Sequence, residues 1–201
     1  MKLEPVTLEG RWVRLVPLSP DHVPALWEVA READLWRITV SRVTSEDELR
    51  GYVAAALKSQ AEGTALPFAT VDAESGRLAG STRFGNFSAR DRRVEIGWTW
   101  LGAAWRRTPA NTEAKYLMFR HAFETLGLSR VELKTDALNH RSRNAMLRLG
   151  LKEEGILRKH MVTDDGRIRD TVYFSVIDDE WPAMKSRLEE LLARPFTRST
   201  A

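Results

Sequence analysis

The residues with the clearest chemical potential stand in a short loop between a strand-like segment and a long helical segment. Arg106 and Arg107 occupy this loop, and Asn111 follows where its side chain could cap the helix. Free backbone N–H groups and the positive end of the helix dipole can hold a phosphate at such a junction, and two arginines add charge. The residues alone therefore indicate a candidate phosphate site, with a solvated corner as the alternative.

Other kinds of catalytic chemistry find little support in the sequence. The chain has no cysteine, which removes thiol nucleophiles, disulfides, cysteine-ligated zinc and iron–sulfur clusters. Its histidines lack the spacing of metal ligands, so we expect no metal. The four are His22, His121, His140 and His160. No serine-nucleophile elbow, Walker loop or dinucleotide-binding glycine motif occurs.

The composition is that of one folded domain, which we expect to span residues 1–201. Apolar residues make up 43% of the chain and charged residues 29%. The formal net charge of +3 is too small to indicate nucleic-acid binding. No apolar run approaches the length of a membrane helix, and Glu4 and Glu9 stand where a signal peptide needs an apolar core. We therefore expect a cytoplasmic protein without a membrane or nucleic-acid partner.

The elements that must position the loop follow from hydrophobic spacing and turn residues. Their order is β-α-α-β-β-β-α-β-α-β-β-α, which fits an α/β or α+β domain with a mixed sheet. Gly97, inside the fourth strand, suggests a bulge or a close backbone approach. The predicted strands are Arg11–Leu18, Pro67–Asp72, Leu78–Phe84, Arg93–Leu101, Arg130–Asp136, Glu154–Thr163 and Ile168–Ile177. The predicted helices begin near Ser19, Ser45, Asn111, Arg141 and Asp178.

Five stretches of the chain together carry a family resemblance. They are Val94–Trp98, Asn111–Lys115, Val131–Asp136, Asn139–Ser142 and Leu149–Gly155. The chain resembles the GNAT superfamily of N-acetyltransferases, in the branch near the RimJ/RimL-like ribosomal-protein alanine acetyltransferases. The resemblance extends over nearly the whole chain. It implies a mixed, mostly antiparallel seven-stranded sheet flanked by helices, with a splay between the fourth and fifth strands.

The resemblance also implies that acetyl-CoA is the donor and lies in this splay. By position, the family's diphosphate-binding loop runs from Arg106 through Thr108 and Pro109 to Asn111. Pro109 and Arg107 each occupy a position where the family has glycine. Because proline supplies no N–H, one donor to the diphosphate is lost at Pro109. The cofactor-binding residues that the resemblance implies are Trp98, Thr99, Arg106, Arg107, Thr108, Ala110, Asn111, Thr112, Asn139 and Ser142.

For catalysis, Glu95 is the candidate general base for the amine, directly or through a water. The resemblance places Asn139 on the pantetheine arm and Ser142 near the thioester sulfur, where its hydroxyl could supply a proton to the departing thiolate. A backbone N–H near Trp98 or Thr99 is the candidate donor to the oxyanion. The alternatives are a solvent-facing role for Glu95 and simple helix capping for Asn139 and Ser142.

The acceptor that the resemblance implies is a primary amine, either a peptide N-terminus or a small molecule such as an aminoglycoside or a polyamine. Its specificity is expected near Trp36 and Arg83, and Trp98 and Trp100 are further candidates for lining the groove. The alternative to an enzyme is a non-catalytic acyl-CoA-binding module in which Pro109 has impaired the loop. A homodimer is expected only by analogy with related enzymes.

Overall fold

The computed structural model describes residues 2–197, and its framework is one eight-stranded sheet in the order β1-β2-β3-β4-β5-β6-β8-β7. The strands are β1 Leu8–Glu9, β2 Val13–Pro17, β3 Leu66–Asp72, β4 Leu78–Ser88, β5 Arg93–Leu101, β6 Arg130–Asp136, β7 Lys152–Val162 and β8 Ile168–Ile177. The helices are α1 Val23–Ala30, α2 Glu46–Ala61, α3 Ala110–Arg120, α4 His140–Leu149 and α5 Trp181–Ala193. The mixed, mostly antiparallel sheet predicted from the sequence is confirmed.

The sheet has one strand more than the seven predicted. The additional strand is β1, whose two residues pair with β2 through Leu8 and Leu15. Two residues are too few to show an alternating pattern in the sequence, although Leu8 is buried in the core. The predicted splay therefore lies between the fifth and sixth strands in chain order.

The splay arises where β5 and β6 form the sheet's only parallel pair within the described residues. A parallel connection needs a crossover, which α3 supplies between the two strands. Their pairing begins at Arg93 with Arg130 and ends at Glu95 with Glu132. Beyond that point β5 continues without β6 as a neighbour, whereas β6 stays paired with β8 along its whole length. The sheet thus opens directly after Glu95.

Helices cover both faces of the sheet, and adjacent residues of β4 identify which helix lies on which face. Arg83 packs against Tyr52 of α2, whereas the hydroxyl of Thr82 lies 3.6 Å from the Met118 sulfur of α3. Since successive strand residues point to opposite faces, α2 and α3 cover opposite sides. In the described part of the chain, no helix combines the length and apolar character needed to span a bilayer.

Candidate active site

A β-bulge in β5 stands at the edge of the opening. Gly97 pairs with Arg83 and Trp100 pairs with Ser81, so β5 carries one more residue than β4 over this stretch. Trp98 takes up the difference with a φ of 50°, a left-handed conformation that is uncommon for an aromatic residue. The bulge predicted at Gly97 therefore lies one residue later. It removes Trp98 and Thr99 from the regular ladder at the point where a donor to an oxyanion is expected.

The carboxylate of Glu95 is buried beside this bulge. Its Oε2 accepts a hydrogen bond of 2.6 Å from Asn86 Nδ2 and lies 2.9 Å from Lys134 Nζ. The other oxygen, Oε1, faces Gly97 and has no hydrogen-bond partner among residues 2–197. Burial lowers the pKa of Lys134, but Glu95 and Tyr173 raise it by more, so the ammonium is retained. The site therefore presents one free carboxylate oxygen. Local sequence patterns do not indicate Lys134 as the partner of the other oxygen.

The loop before α3 keeps a glycine-like backbone without glycine. Arg107 adopts a φ of 60° and is exposed. Thr108 donates its hydroxyl to the Trp105 carbonyl at 2.8 Å and accepts from the Ala110 N–H at 3.2 Å. Pro109 then forms the cap position with a φ of −62°, the value that its ring imposes. The fold thus accommodates both departures from the family pattern.

The predicted capping role of Asn111 is wrong. α3 begins at Ala110, because the Thr108 hydroxyl takes the Ala110 N–H and the Glu113 N–H bonds to the Pro109 carbonyl. The N–H groups of Asn111 and Thr112 have no hydrogen-bond partner within residues 2–197. Two free donors at the positive end of a helix suit an anion such as a diphosphate.

Arg106 is engaged elsewhere. Its guanidinium donates to the Leu101 carbonyl at 3.0 Å and pairs with Glu32 and Asp34, each at 3.3 Å. Asp34 also pairs with Arg141 at 3.2 Å, which lowers the pKa of this carboxyl. The loop between α1 and α2 is therefore tied by ion pairs to the loop before α3 and to the start of α4.

Arg148 replaces Arg106 as a cation close to the free N–H groups. It lies on α4 and donates to the hydroxyl of Thr112 at 3.0 Å. Exposed Arg107 lies in the loop just before α3, so the start of this helix has a second arginine nearby in the chain. A strand-loop-helix pattern offers no signal for Arg148, which comes from a helix 36 residues away in the chain.

Asn139 and Ser142 meet at the start of α4. The Asn139 Oδ1 accepts from the Ser142 N–H at 3.0 Å, so Asn139 caps the helix, and its Nδ2 donates to the Ile38 carbonyl at 3.4 Å. Ser142 is half-buried, and its hydroxyl makes no hydrogen bond within residues 2–197. The capping alternative is thus observed for Asn139, and the hydroxyl of Ser142 is available to a ligand.

A buried lysine lies under the other side of the bulge. Lys115 of α3 donates to the Thr99 hydroxyl at 2.7 Å, and this hydroxyl lies 2.7 Å from that of Thr82. Burial lowers the pKa of Lys115 to about 7. The sequence pattern does not predict the burial of Lys115, because a lysine on a helix is usually solvated.

The three tryptophans expected near an acceptor groove differ in exposure. Trp36 and Trp100 are buried and pack on each other with ring centroids 5.6 Å apart, and Trp36 also contacts Tyr52. Trp98 is 38% exposed.

Among residues 2–197, no group of three or more histidine, aspartate or glutamate side chains is placed to hold a metal ion.

The amino-acid sequence is similar to those of known acetyltransferases. A domain model described as acetyltransferase (GNAT) domain matches residues 13–152. YdaF of Bacillus subtilis, a candidate ribosomal N-acetyltransferase, is 32% identical over 110 residues, which are 55% of this chain and 59% of that protein. The chain thus spans about three fifths of the length of this curated relative.

Solved structures match over more of the chain. A GCN5-related N-acetyltransferase from Brucella melitensis has a TM-score of 0.89 and 35% identity, covering 96% of this chain and 88% of that one. RimJ of Mycobacterium smegmatis, solved with CoA-disulfide, has a TM-score of 0.76 and 21% identity, covering 89% of this chain and 88% of that one. Because the domain model matches most of the chain, the protein belongs to the acetyltransferase (GNAT) family, and the family resemblance read from the sequence is confirmed.

Proposed function

We propose that this chain is an acyl-CoA-dependent N-acetyltransferase that transfers an acetyl group from acetyl-CoA to a primary amine, specifically a protein N-terminal amine. The observation that carries the proposal is the opening of β5 from β6 directly after Glu95, with the bulge at Trp98 beside it. Similarity to YdaF, a candidate ribosomal N-acetyltransferase, and to the ribosomal-protein-S5-alanine acetyltransferase of Vibrio fischeri supports the choice of acceptor.

The residues at the start of α3 and α4 are suited to binding acetyl-CoA. Acetyl-CoA supplies the acetyl thioester, and its diphosphate would be held by the N–H groups of Asn111 and Thr112 with Arg107 and Arg148 as cations. Asn139 and Ser142 stand at the start of α4, beside the loop that follows β6. The family match and the CoA-disulfide in the RimJ structure support this assignment.

In the proposed reaction the amine attacks the thioester directly in a ternary complex. Glu95 Oε1, the free carboxylate oxygen, takes a proton from the ammonium, while Asn86 and Lys134 hold Oε2 in place. An N–H at the bulge, from Trp98 or Thr99, donates to the developing oxyanion. The amine forms its bond to the acetyl carbon, the oxyanion then collapses as the carbon–sulfur bond breaks, and the nitrogen releases its second proton to solvent. Ser142 is the proposed source of a proton for the thiolate and regains one from solvent.

The proposal is tested by thiol release from acetyl-CoA in the presence of an acceptor panel. The panel holds peptides with a free N-terminal alanine or serine, the same peptides already N-acetylated, spermidine and an aminoglycoside. We expect release to accelerate with the free peptides and not with their acetylated forms. Acceleration by spermidine or the aminoglycoside alone would make the acceptor a small amine. No acceleration by any amine at saturating acetyl-CoA would favour the non-catalytic module.

We also infer that residues 1–201 form a single acetyltransferase domain, that the protein is cytoplasmic, and that it forms a homodimer by analogy with related enzymes. Light scattering at micromolar protein concentration tests the dimer directly, since the two states differ twofold in mass.

A further inference from the structure

Arg169 of β8 is a buried arginine on the side of the sheet that carries Glu95. It is 6% exposed and belongs to one alternating set with Thr171 and Tyr173. Tyr173 is in register with Lys134, which pairs with Glu95 at 2.9 Å. Residues directly opposite each other on neighbouring strands share a face. Arg169 therefore faces the same space as the proposed base.

The guanidinium of Arg169 has no partner within residues 2–197. None of its nitrogens donates a hydrogen bond, it pairs with no carboxylate, and it stacks on no aromatic ring in this part of the chain. Its Nε is shut off from solvent. The hydroxyl of Thr171, which is 0% exposed, also lacks a hydrogen bond. Most buried polar groups are satisfied, so two unsatisfied side chains on one strand need an explanation.

The neighbouring carboxylates are already paired with other cations. Glu95 pairs with Lys134 at 2.9 Å, and Asp136 pairs with Arg167. Burial lowers the pKa of Arg169, and Asp136 and Glu95 raise it only in part. Since arginine keeps its charge in proteins, this cluster holds one more cation than it has carboxylates. Water can fill the missing hydrogen bonds of a buried cation, but only an anion balances its charge.

A bulge in β7 brings further cations to this place. Residues 158–160 of β7 stand opposite Asp170 alone, because the pairing of the two strands shifts there. The three residues are an arginine, a lysine and a histidine, and all are exposed. His160 contacts the ring of Tyr173 with centroids 5.8 Å apart, so the bulge reaches the face that carries Arg169. The surroundings of Arg169 thus favour an anionic ligand.

Arg169 is placed to contact a part of the acceptor beyond its first residue. Tyr173 lies next to the Glu95 ion pair, and Arg169 is four residues from it along β8. That separation is about 13 Å in a strand, and the long arginine side chain can shorten it. An extended peptide advances by about 3.3–3.6 Å per residue. With its amine at Glu95, the side chains of its second to fourth residues are within reach of Arg169.

Building on the proposed function, we infer that Arg169 binds an acidic side chain of the acceptor, so that the enzyme prefers protein N-termini with aspartate or glutamate among residues two to four. A carboxylate matches the planar guanidinium and supplies the missing negative charge. Polyamines and aminoglycosides carry only positive charge, and this part of the site would repel them.

The test is calorimetric titration of peptides into the protein saturated with coenzyme A, which has no acetyl group to transfer. Each peptide has a free N-terminal alanine or serine and glutamate at position two, three or four, and is compared with the same peptide carrying glutamine there. We expect glutamate to bind about tenfold or more tightly than glutamine in at least one position. Equal affinities at all three positions, or no saturable binding of any peptide, would overturn the inference. Binding of glutarate as tight as that of the best peptide would also overturn it, because the ligand would then be a free anion.

Arg169→Gln should remove the preference for glutamate, and Arg169→Lys should retain part of it, since lysine keeps the charge without the planar fork. The matched control is Arg14→Gln, because Arg14 is an exposed arginine of β2, and it should leave the preference unchanged. A preference that persists in Arg169→Gln would assign it to the exposed cations and overturn the role of Arg169. If Arg169→Gln fails to fold, the wild-type comparison and Arg169→Lys decide. Because these titrations need no acetyl transfer, they separate failure of this inference from failure of the proposed activity.

Discussion

The carboxylate of Glu95 and the ammonium of Lys134 form an ion pair of 2.9 Å across the line where β5 and β6 separate. Since Lys134 and Asn86 both engage Oε2, the carboxylate cannot rotate freely, and Oε1 is the oxygen left to receive a proton. The same ion pair fixes the spacing of the two strands at the mouth of the opening. The geometry thus joins the proposed base to the element that creates the donor cleft.

Glu95→Gln should lower kcat by about 100-fold, because an amide cannot accept the proton that the amine must lose. The affinity for acetyl-CoA, measured by calorimetry, should change little. Glu132→Gln is the matched control, since Glu132 is in register with Glu95 on the neighbouring strand. Unchanged turnover of Glu95→Gln at every pH would exclude Glu95 as the base.

Lys115→Met should stabilise the protein, and more at pH 6 than at pH 10. The folded-state pKa of Lys115 is about 7, below the value near 10.4 of an unfolded chain. Between these values the unfolded chain binds a proton that the folded chain does not, so wild-type stability falls as the pH falls through this window.

Relative to Lys115→Met, that fall should have a slope of roughly 1.4 kcal/mol per pH unit and should level off below pH 7. Chemical denaturation across the pH range measures it. Lys58→Met, on the exposed face of α2, is the control. A difference between Lys115→Met and wild type that stays constant with pH would show that the lysine is charged in the folded protein.

Pro109→Ala should tighten acetyl-CoA binding by about tenfold, because alanine adds an N–H at the start of α3 while keeping the helical backbone. Calorimetry measures the change. Pro182→Ala is the control, since Pro182 lies in the first turn of α5, outside the loop before α3. Equal or weaker binding by Pro109→Ala would mean that the Asn111 and Thr112 donors already suffice.

Gly85→Ala tests the bulge. A Cβ at this position would clash with the Trp98 ring, so the ring must move. We expect a changed tryptophan fluorescence spectrum, turnover lowered by about tenfold or more, and a stability loss on the order of 1–3 kcal/mol from overpacking. Gly51→Ala, where nothing lies within 4 Å, should be neutral or stabilising. Turnover unaffected by Gly85→Ala would separate the Trp98 ring from the reaction.

Features with local causes were predictable from the sequence. Ser45 caps α2 by accepting from the Glu48 N–H, and Gly150 ends α4 with a φ of 103°. The turn at Gly166 and the strand Ile168–Ile177 also stand where turn chemistry and alternation placed them. In each case the residue's own conformational preference decides the structure.

Features with distant causes were not predictable. The position of Arg106 in the loop predicts a phosphate ligand, but its guanidinium pairs with Glu32, which is 74 residues away in the chain. The burial of Lys115 depends on Thr99 and the bulge, and the position of Arg148 depends on the packing of α4 against the start of α3. The site residues themselves came from the family resemblance, since spacing alone reached no further than a phosphate site.

Calorimetric titration of acetyl-CoA into the wild-type protein is the direct test of the donor site. We expect one site per chain with a micromolar dissociation constant. A thermal melt at 100 times that concentration should then show a stabilisation of about 2.7 kcal/mol. No heat of binding up to millimolar acetyl-CoA would mean that the opening after Glu95 and the free donors of α3 do not form a donor site.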